Sequence, residues 1–198
     1  MESLNTELMV IIIAVCTYFF AAIPFGLIFS KLAGLGDIRK VGSGNIGATN
    51  VLRTGNKKIA ALTLLCDALK GVVVVLISAY FIPGHEYAFG FLAIFSHIFP
   101  IYLKFKGGKG VATTLGVYFA WSPLLGLLVL ATWLLAAKLF KISSLSALVA
   151  AVLAPFFAYF LSMNPAVLPF TALIAVTLFY THRDNIKRLV NKQESAIS

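Results

Sequence analysis

The sequence predicts an all-α membrane protein, a polytopic transmembrane helical bundle of seven helical segments with its N-terminus outside and its C-terminus cytoplasmic. Three observations carry that prediction. Of 198 residues, 60% are hydrophobic and only 12% charged, with a mean hydropathy of +0.95, which is too apolar for a water-soluble domain of ordinary composition. The formal net charge of +9 is gathered into clusters between apolar runs. A bilayer core takes about 20 apolar residues per helix, so the length admits about five to seven spans. Little chain is left for a separate extramembrane domain, and residues 1–198 read as a single integral-membrane domain. Chemistry must then sit in short loops and at helix ends.

The N-terminal tail carries Glu2 and Glu7 and no Lys or Arg. The first apolar run, Leu8 to Phe29, is too long for a signal-peptide core and has no basic segment ahead of it, so it reads as a retained helix. Lys31, Arg39, Lys40, Arg53, Lys57 and Lys58 follow it; Lys104, Lys106 and Lys109 follow the third run; Lys138 and Lys141 come later; Arg183, Lys187, Arg188 and Lys192 form the tail. The positive-inside tendency makes all four clusters cytoplasmic. The N-terminus and the turns Pro83-Gly84-His85-Glu86 and Ser162-Met163-Asn164-Pro165, without Lys or Arg, then face outward.

Val111 to Ala137 is uncharged and has basic clusters at both ends, so it must leave and return to one side. Trp121-Ser122-Pro123 offers the break, because proline and the residue before it disfavour continued helix. The fourth and fifth segments are therefore expected to be short. A single tilted helix there would place Lys138, Lys141 and the basic tail outside, against the charge rule. Cys16 and Cys66 lie in different apolar runs without metal-ligand or CxxC spacing and read as packed thiols.

Three segments carry candidate chemistry. After the first helix, GDIRKVGSGNIGATNVLRTGNKK alternates Gly42, Gly44, Gly47 and Gly55 with Ser43, Asn45, Thr49, Asn50 and Arg53. Glycines let backbone N–H groups close on an oxyanion, Ser, Thr and Asn add neutral donors, and Arg53 can fork onto a phosphate. A flexible connector or small-residue helix packing is the structural alternative.

In Lys104-Phe105-Lys106-Gly107-Gly108-Lys109-Gly110-Val111, a glycine-lysine turn opens into a helix, whose unpaired N–H groups and positive dipole end make an anion site with Lys109. The GxxxxGK[ST] spacing of a Walker A loop is absent, and a cytoplasmic anchor loop is an equally good reading. In Thr181-His182-Arg183-Asp184-Asn185-Ile186-Lys187-Arg188, His182 and Asn185 share a face if the helix continues, and Asp184 is expected to pair with Arg188. A lipid-bound basic tail explains the cations there but not the His and Asn.

Asp67 with Lys70 in the second run, and His97 in the third, are ionisable residues inside spans and hence functional candidates. The i, i+3 spacing of Asp67 and Lys70 suits a structural ion pair. His97, seven residues before Lys104, is expected on nearly the same helix face and directed at the cytoplasmic cluster. There is no GxSxG elbow and no metal-spaced His/Cys/Asp set, which argues against covalent or metal mechanisms. The HxxxxD pattern of the better-known glycerolipid acyltransferases is also missing.

In their order and spacing, SGNIGATNVLRTGNK, SHIFPIYLKFKGGKGVATTLG and THRDNIKRL resemble the three motifs of the bacterial acyl-phosphate:glycerol-3-phosphate acyltransferase family. Asp67-Ala68-Leu69-Lys70-Gly71 and Lys141-Ile142-Ser143-Ser144-Leu145 are similar to its lesser features. Minor departures are Ala21-Ala22 where the family often has Gly-Ser, and Ser96 where it often has Gly.

The resemblance implies acyl transfer from acyl phosphate to the 1-hydroxyl of glycerol 3-phosphate. The products are lysophosphatidate and phosphate, at the cytoplasmic face of a bacterial inner membrane. It implies catalytic roles for His182, Asn185, Ser43 and Arg53. It implies substrate binding by Gly44, Asn45, Gly47, Thr49, Asn50, His97, Lys104, Gly107, Gly108, Lys109, Gly110 and Ser143. No cofactor, metal, nucleic acid or obligate protein partner is expected; acyl phosphate, glycerol 3-phosphate and membrane lipid are. An organophosphate transporter is the main rival from another class, and a non-catalytic lipid-binding membrane protein a second. Transporters usually place their site near the midplane with repeat symmetry, whereas these motifs sit at one interface.

Overall fold

The computed structural model describes residues 2–197, and among them every regular element is helical. Two compact units divide the chain at the expected break, 1–121 and 122–198. The first holds α1 (Glu2–Ala21), α2 (Phe25–Leu32), α3 (Ala48–Leu52), α4 (Lys57–Phe81), α5 (Glu86–Ile98) and α6 (Val111–Trp121). The second holds α7 (Pro123–Phe140), α8 (Ser143–Phe160), α9 (Val167–Thr181) and α10 (Arg183–Val190).

Among the described residues five stretches are long and apolar enough to cross a membrane: Thr6–Leu32, Lys57–Phe81, Glu86–Leu103, Pro123–Phe140 and Ser143–Phe160. Val111–Trp121 and Val167–Thr181 are apolar but shorter. The break falls where the sequence places it, with Ser122 accepting a hydrogen bond from Leu125 N at 3.3 Å and Pro123 opening α7. The distribution of lengths differs from expectation, because α7 has 18 residues and the short helices are α6 with 11 and α9 with 15. Ser122-Pro123 divides the uncharged stretch nearly in half, and α7 is the longer helix because it continues past Ala137 through Lys138 to Phe140.

Unit 1 is built on close backbone approaches. Pro24 interrupts the first apolar run, separating α1 from α2, as a residue without an N–H must. A methyl on Gly26 would overlap the Ile46 carbonyl, so the loop after α2 folds back onto that helix. Ile38, Ile46 and Val51 anchor the loop in a small core with Ala60, Leu27 and Leu103. A methyl on Gly116 of α6 would overlap the Ala68 carbonyl of α4, and one on Gly71 would lie 2.5 Å from the Thr113 carbonyl. Small residues bring helix backbones together where lipid supplies no hydrophobic drive for association. In unit 2, α8 buries Ala147, Ala150, Ala151, Ala154 and Ala158 in the same manner.

Gly116→Val is expected to lower the thermal midpoint of the detergent-purified protein by an amount equivalent to about 1–3 kcal/mol, the usual cost of overpacking. An unchanged midpoint would show that α6 and α4 are not in contact at that residue.

Candidate active site

In unit 1 the loop after α2 is shaped by its own polar groups. Asp37 starts a short 3₁₀ turn, Ile38–Lys40, by accepting from Arg39 N at 3.0 Å, and it pairs with the Arg39 guanidinium at 2.7 Å. Those hydrogen bonds hold the Asp37 carboxyl down at about 2. Gly42 and Gly44 take positive φ, 54° and 71°. Asn50, only 2% exposed, ties the turn together: its Nδ2 donates to the Ile38 and Asn45 carbonyls, both at 2.8 Å, and its Oδ1 accepts from Ser43 N at 3.0 Å and Ser43 Oγ at 3.3 Å.

Asn45 Oδ1 accepts from Gly47 N at 2.8 Å, and Gly44 N donates to the Val41 carbonyl at 3.0 Å. A methyl on Gly42 would meet Asn50 Oδ1 at 2.6 Å and Arg53 Cδ at 2.8 Å, so the Arg53 stem lies over Gly42 beside Ser43. The expected backbone cradle is therefore not what forms. The N–H groups of Ser43, Gly44 and Gly47, and the whole Asn50 amide, are consumed in folding the loop, in which Ser43 is exposed and Thr49 and Arg53 are half-buried.

The second segment runs back over the end of α5. Phe105 N donates to the Pro100 carbonyl at 3.0 Å, Gly107 N to Ile98 at 3.0 Å and Gly108 N to His97 at 3.1 Å, so the Gly107 and Gly108 amides are also spent, contrary to expectation. No side chain fits at either glycine: a methyl on Gly107 would overlap the His97 carbonyl, and one on Gly108 the His97 ring at Nε2. Lys104, at φ 51°, is exposed, and Lys109 is half-buried. Gly110, at φ 88°, turns the chain into α6 and accepts from Thr114 N at 2.8 Å. What this segment can aim at an anion is Lys109 and the first N–H groups of α6, which no helical carbonyl satisfies.

His97 does not lie on a helix face with Lys104, because α5 ends at Ile98 and a 3₁₀ turn, Ile101–Leu103, follows. It is buried instead, with Nδ1 3.6 Å from Asp67 Oδ1. Lys70 Nζ lies 2.9 Å from the same oxygen, the ion pair that the spacing predicts. Oδ1 makes no aligned hydrogen bond, so the contact is ionic.

In unit 2 the chain turns at His182, which ends α9 and precedes α10. His182 and Asn185 are 2% and 3% exposed, while Arg183 and Asp184 between them are exposed, so the three-residue spacing does set them on one face. His182 Nδ1 lies 2.7 Å from the Leu178 carbonyl, which can only accept. The proton of a neutral ring therefore sits on Nδ1, and Nε2 is the acceptor nitrogen.

Asp184 lies 3.9 Å from Lys187, not beside Arg188. Arg188 reaches Glu194 at 2.6 Å, a residue that sequence reasoning missed because it sits in a polar tail with no helical periodicity. Glu194 Oε1 also accepts from Asn185 Nδ2 at 2.6 Å and Ser144 Oγ at 2.9 Å, and Ile197 N donates to the Lys141 carbonyl at 2.7 Å. The tail thus straps α10 to the start of α8. Ser143, next to Ser144, is half-buried. Among the described residues no three His, Cys, Asp or Glu side chains are grouped to hold a metal ion.

The sequence model of the glycerol-3-phosphate acyltransferase family matches residues 11–192. The chain belongs to this family. It is 52% identical over 182 residues to a glycerol-3-phosphate acyltransferase of Brucella canis, covering 91% of this chain and 89% of that protein. It is 51% identical over 180 residues to one of Mesorhizobium japonicum, covering 91% and 92%. Among solved structures it is similar to PlsY (YgiH), an integral membrane glycerol 3-phosphate acyltransferase. The glycerol 3-phosphate form gives a TM-score of 0.89 at 35% identity over 95% of both chains. The lysophosphatidic acid form gives 0.87 at 34% over 94% of both.

Burial alone would raise the Glu194 carboxyl, but hydrogen bonds from Arg188, Asn185 and Ser144 outweigh it and hold it below its ordinary 4.5. The strap's stabilisation is then fully present above 4.5 and is lost as the pH falls through the lower folded value. Amide exchange in residues 191–197, corrected for its intrinsic pH dependence, is expected to accelerate on acidification below that point. Glu194→Gln should exchange faster already at neutral pH and respond less to acid; wild-type protection in the variant would contradict the strap.

Proposed function

We propose that this chain transfers a fatty acyl group from acyl phosphate to the 1-hydroxyl of glycerol 3-phosphate, giving lysophosphatidate and inorganic phosphate. This is the first acylation of phospholipid synthesis. The observation that carries the reading is the chain-long likeness to an integral membrane glycerol 3-phosphate acyltransferase solved in substrate and product forms. One family model runs across both compact units, which supports treating them as one enzyme domain. The charge clusters support seven crossings with the N-terminus outside and the C-terminus inside, in a bacterial inner membrane, with the chemistry at the cytoplasmic interface.

Both substrates carry phosphate, one brings an acyl chain that belongs in lipid, and the other is water-soluble. A cationic, donor-rich site at a membrane interface is where they can meet. Ser43, Thr49, Arg53 and Lys109 hold the phosphates, and Asn185, its Nδ2 fixed by Glu194, orients the acceptor. The glycerol hydroxyl attacks the acyl carbonyl carbon, the bond from that carbon to the phosphate oxygen breaks, and phosphate departs with the electron pair. The hydroxyl proton goes to His182 Nε2 or to an oxygen of the acyl phosphate itself; His182 in the second case binds phosphate. Acyl phosphate already has a good leaving group, so positioning and charge stabilisation suffice and no cofactor is required.

Purified protein given acyl phosphate and glycerol 3-phosphate is expected to form phosphate and lysophosphatidate in equal amounts. No release overturns the reaction, and equal turnover with acyl-CoA overturns the donor. In the same assay His182→Gln should reduce turnover about 100-fold or more if His182 is the base; a fall of less than about tenfold assigns the proton to the substrate.

A further inference from the structure

Unit 1 contains buried ionisable groups that no step of the proposed reaction uses. Lys70 is 1% exposed, Asp67 2% and His97 5%. Besides its contact with Asp67, Lys70 Nζ donates to the Ile23 carbonyl at 3.2 Å, at the break before Pro24, and lies 5.7 Å from the centre of the Phe25 ring.

From this cluster two lines of contact lead to the residues flanking Lys109. Through the first, the Asp67 carboxylate lies beside Nδ1 of His97, whose ring underlies Gly108 so closely that a methyl there would overlap Nε2. Through the second, Gly71, next in sequence to Lys70, packs on the first two turns of α6, where its added methyl would lie 2.5 Å from the Thr113 carbonyl and 3.1 Å from Val117 N. One turn of α4, residues 67–71, therefore supports the chain on both sides of Lys109. The His97 backbone carbonyl also accepts from Gly108 N, so ring and backbone act on the same residue.

We propose that Asp67, Lys70 and His97 are positioning residues for substrate phosphate: the ion pair fixes the His97 ring, and the ring fixes Gly108 and so the place of Lys109 and the start of α6. This reassigns His97, which touches the glycine loop and the ion pair, from binding phosphate to setting the loop that binds it. The inference rests on the acyltransferase reading for the identity of the phosphates. Misplacement of a binding group by a fraction of an ångström acts on affinity for the group it holds, and when the lost binding is common to ground and transition states it appears in KM and not in kcat. A role confined to holding helices together would alter stability and leave KM alone.

The test is a cycle. His97→Ala, and separately Gly108→Ala, are each expected to raise KM for one phosphate-bearing substrate about tenfold while kcat stays within about threefold. The double variant should lie nearer wild type than either single one, because the added methyl enters the space the imidazole leaves. KM measured separately for glycerol 3-phosphate and for acyl phosphate reads which phosphate Lys109 holds.

Asp67→Asn with Lys70→Met removes both charges together, so no uncompensated charge remains to unfold the protein, and should raise the same KM. Calorimetric binding of glycerol 3-phosphate and of inorganic phosphate to the same proteins reads affinity without turnover. Thus an inactive wild type would sink the acyltransferase reading alone. Folded single variants with both KM values and both affinities within about twofold of wild type, or strictly additive effects in the double variant, would overturn the positioning role.

Discussion

An ion pair inside a membrane-spanning helix is the constraint around which unit 1 is arranged. Asp67 and Lys70 sit on a helix long and apolar enough to cross a bilayer, and neither reaches water. Taking away one partner of such a pair typically costs about 3–5 kcal/mol, because the other is left as a lone buried charge. The pair must therefore stay closed, and its neighbours are organised to let it: Pro24 breaks the first apolar run and leaves a carbonyl for Lys70, and Phe25 offers its ring face. Gly71 and Gly116 let α6 lie against the same turn of α4. Polar groups in hydrocarbon persist where they are paired and where they serve something; here they stand beneath the lysine loop.

A second regularity concerns backbone amides. In both loops of unit 1 the chain folds tightly onto itself at glycines, and the N–H groups of Gly44, Gly47, Gly107 and Gly108 are hydrogen-bonded within the fold. Asn50 closes the first loop from within, and the His97 and Ile98 carbonyls close the second. In the proposed reaction, recognition of anions then falls to the side chains of Ser43, Thr49, Arg53 and Lys109. Unit 2 follows the same logic with a carboxylate in place of the asparagine amide, as Glu194 collects Ser144, Asn185 and Arg188. Supports of this kind hold the functional groups in one orientation before substrate arrives, which is what a positioning enzyme requires.

Much of this was legible in the residues because membrane physics is one-dimensional at first order. Apolar runs, Pro123 after Ser122, and the three-residue spacings of Asp67 with Lys70 and His182 with Asn185 all report on local structure, and the structure has them. The rest depends on tertiary contact. Nothing in SGNIGATN says that Gly44 N turns back to the Val41 carbonyl and Gly47 N to Asn45 Oδ1, or that the Gly107 and Gly108 amides meet the carbonyls at the end of α5. His97 was displaced from its expected face by the end of α5, which Pro100 enforces. Glu194 carries no periodic signal, and only the return of the tail to Lys141 brings it to Asn185.

In the proposed reaction the enzyme brings two phosphates and a carbonyl together and leaves the bond-making to the substrates. The claim that separates this account from a covalent alternative is direct attack by the glycerol hydroxyl. The most direct measurement is a rapid-quench reaction of stoichiometric enzyme with acyl-labelled acyl phosphate, with and without glycerol 3-phosphate. Direct attack predicts no phosphate burst and no protein-bound acyl group until glycerol 3-phosphate is added. A burst of one phosphate per enzyme with label retained on the denatured chain would contradict it.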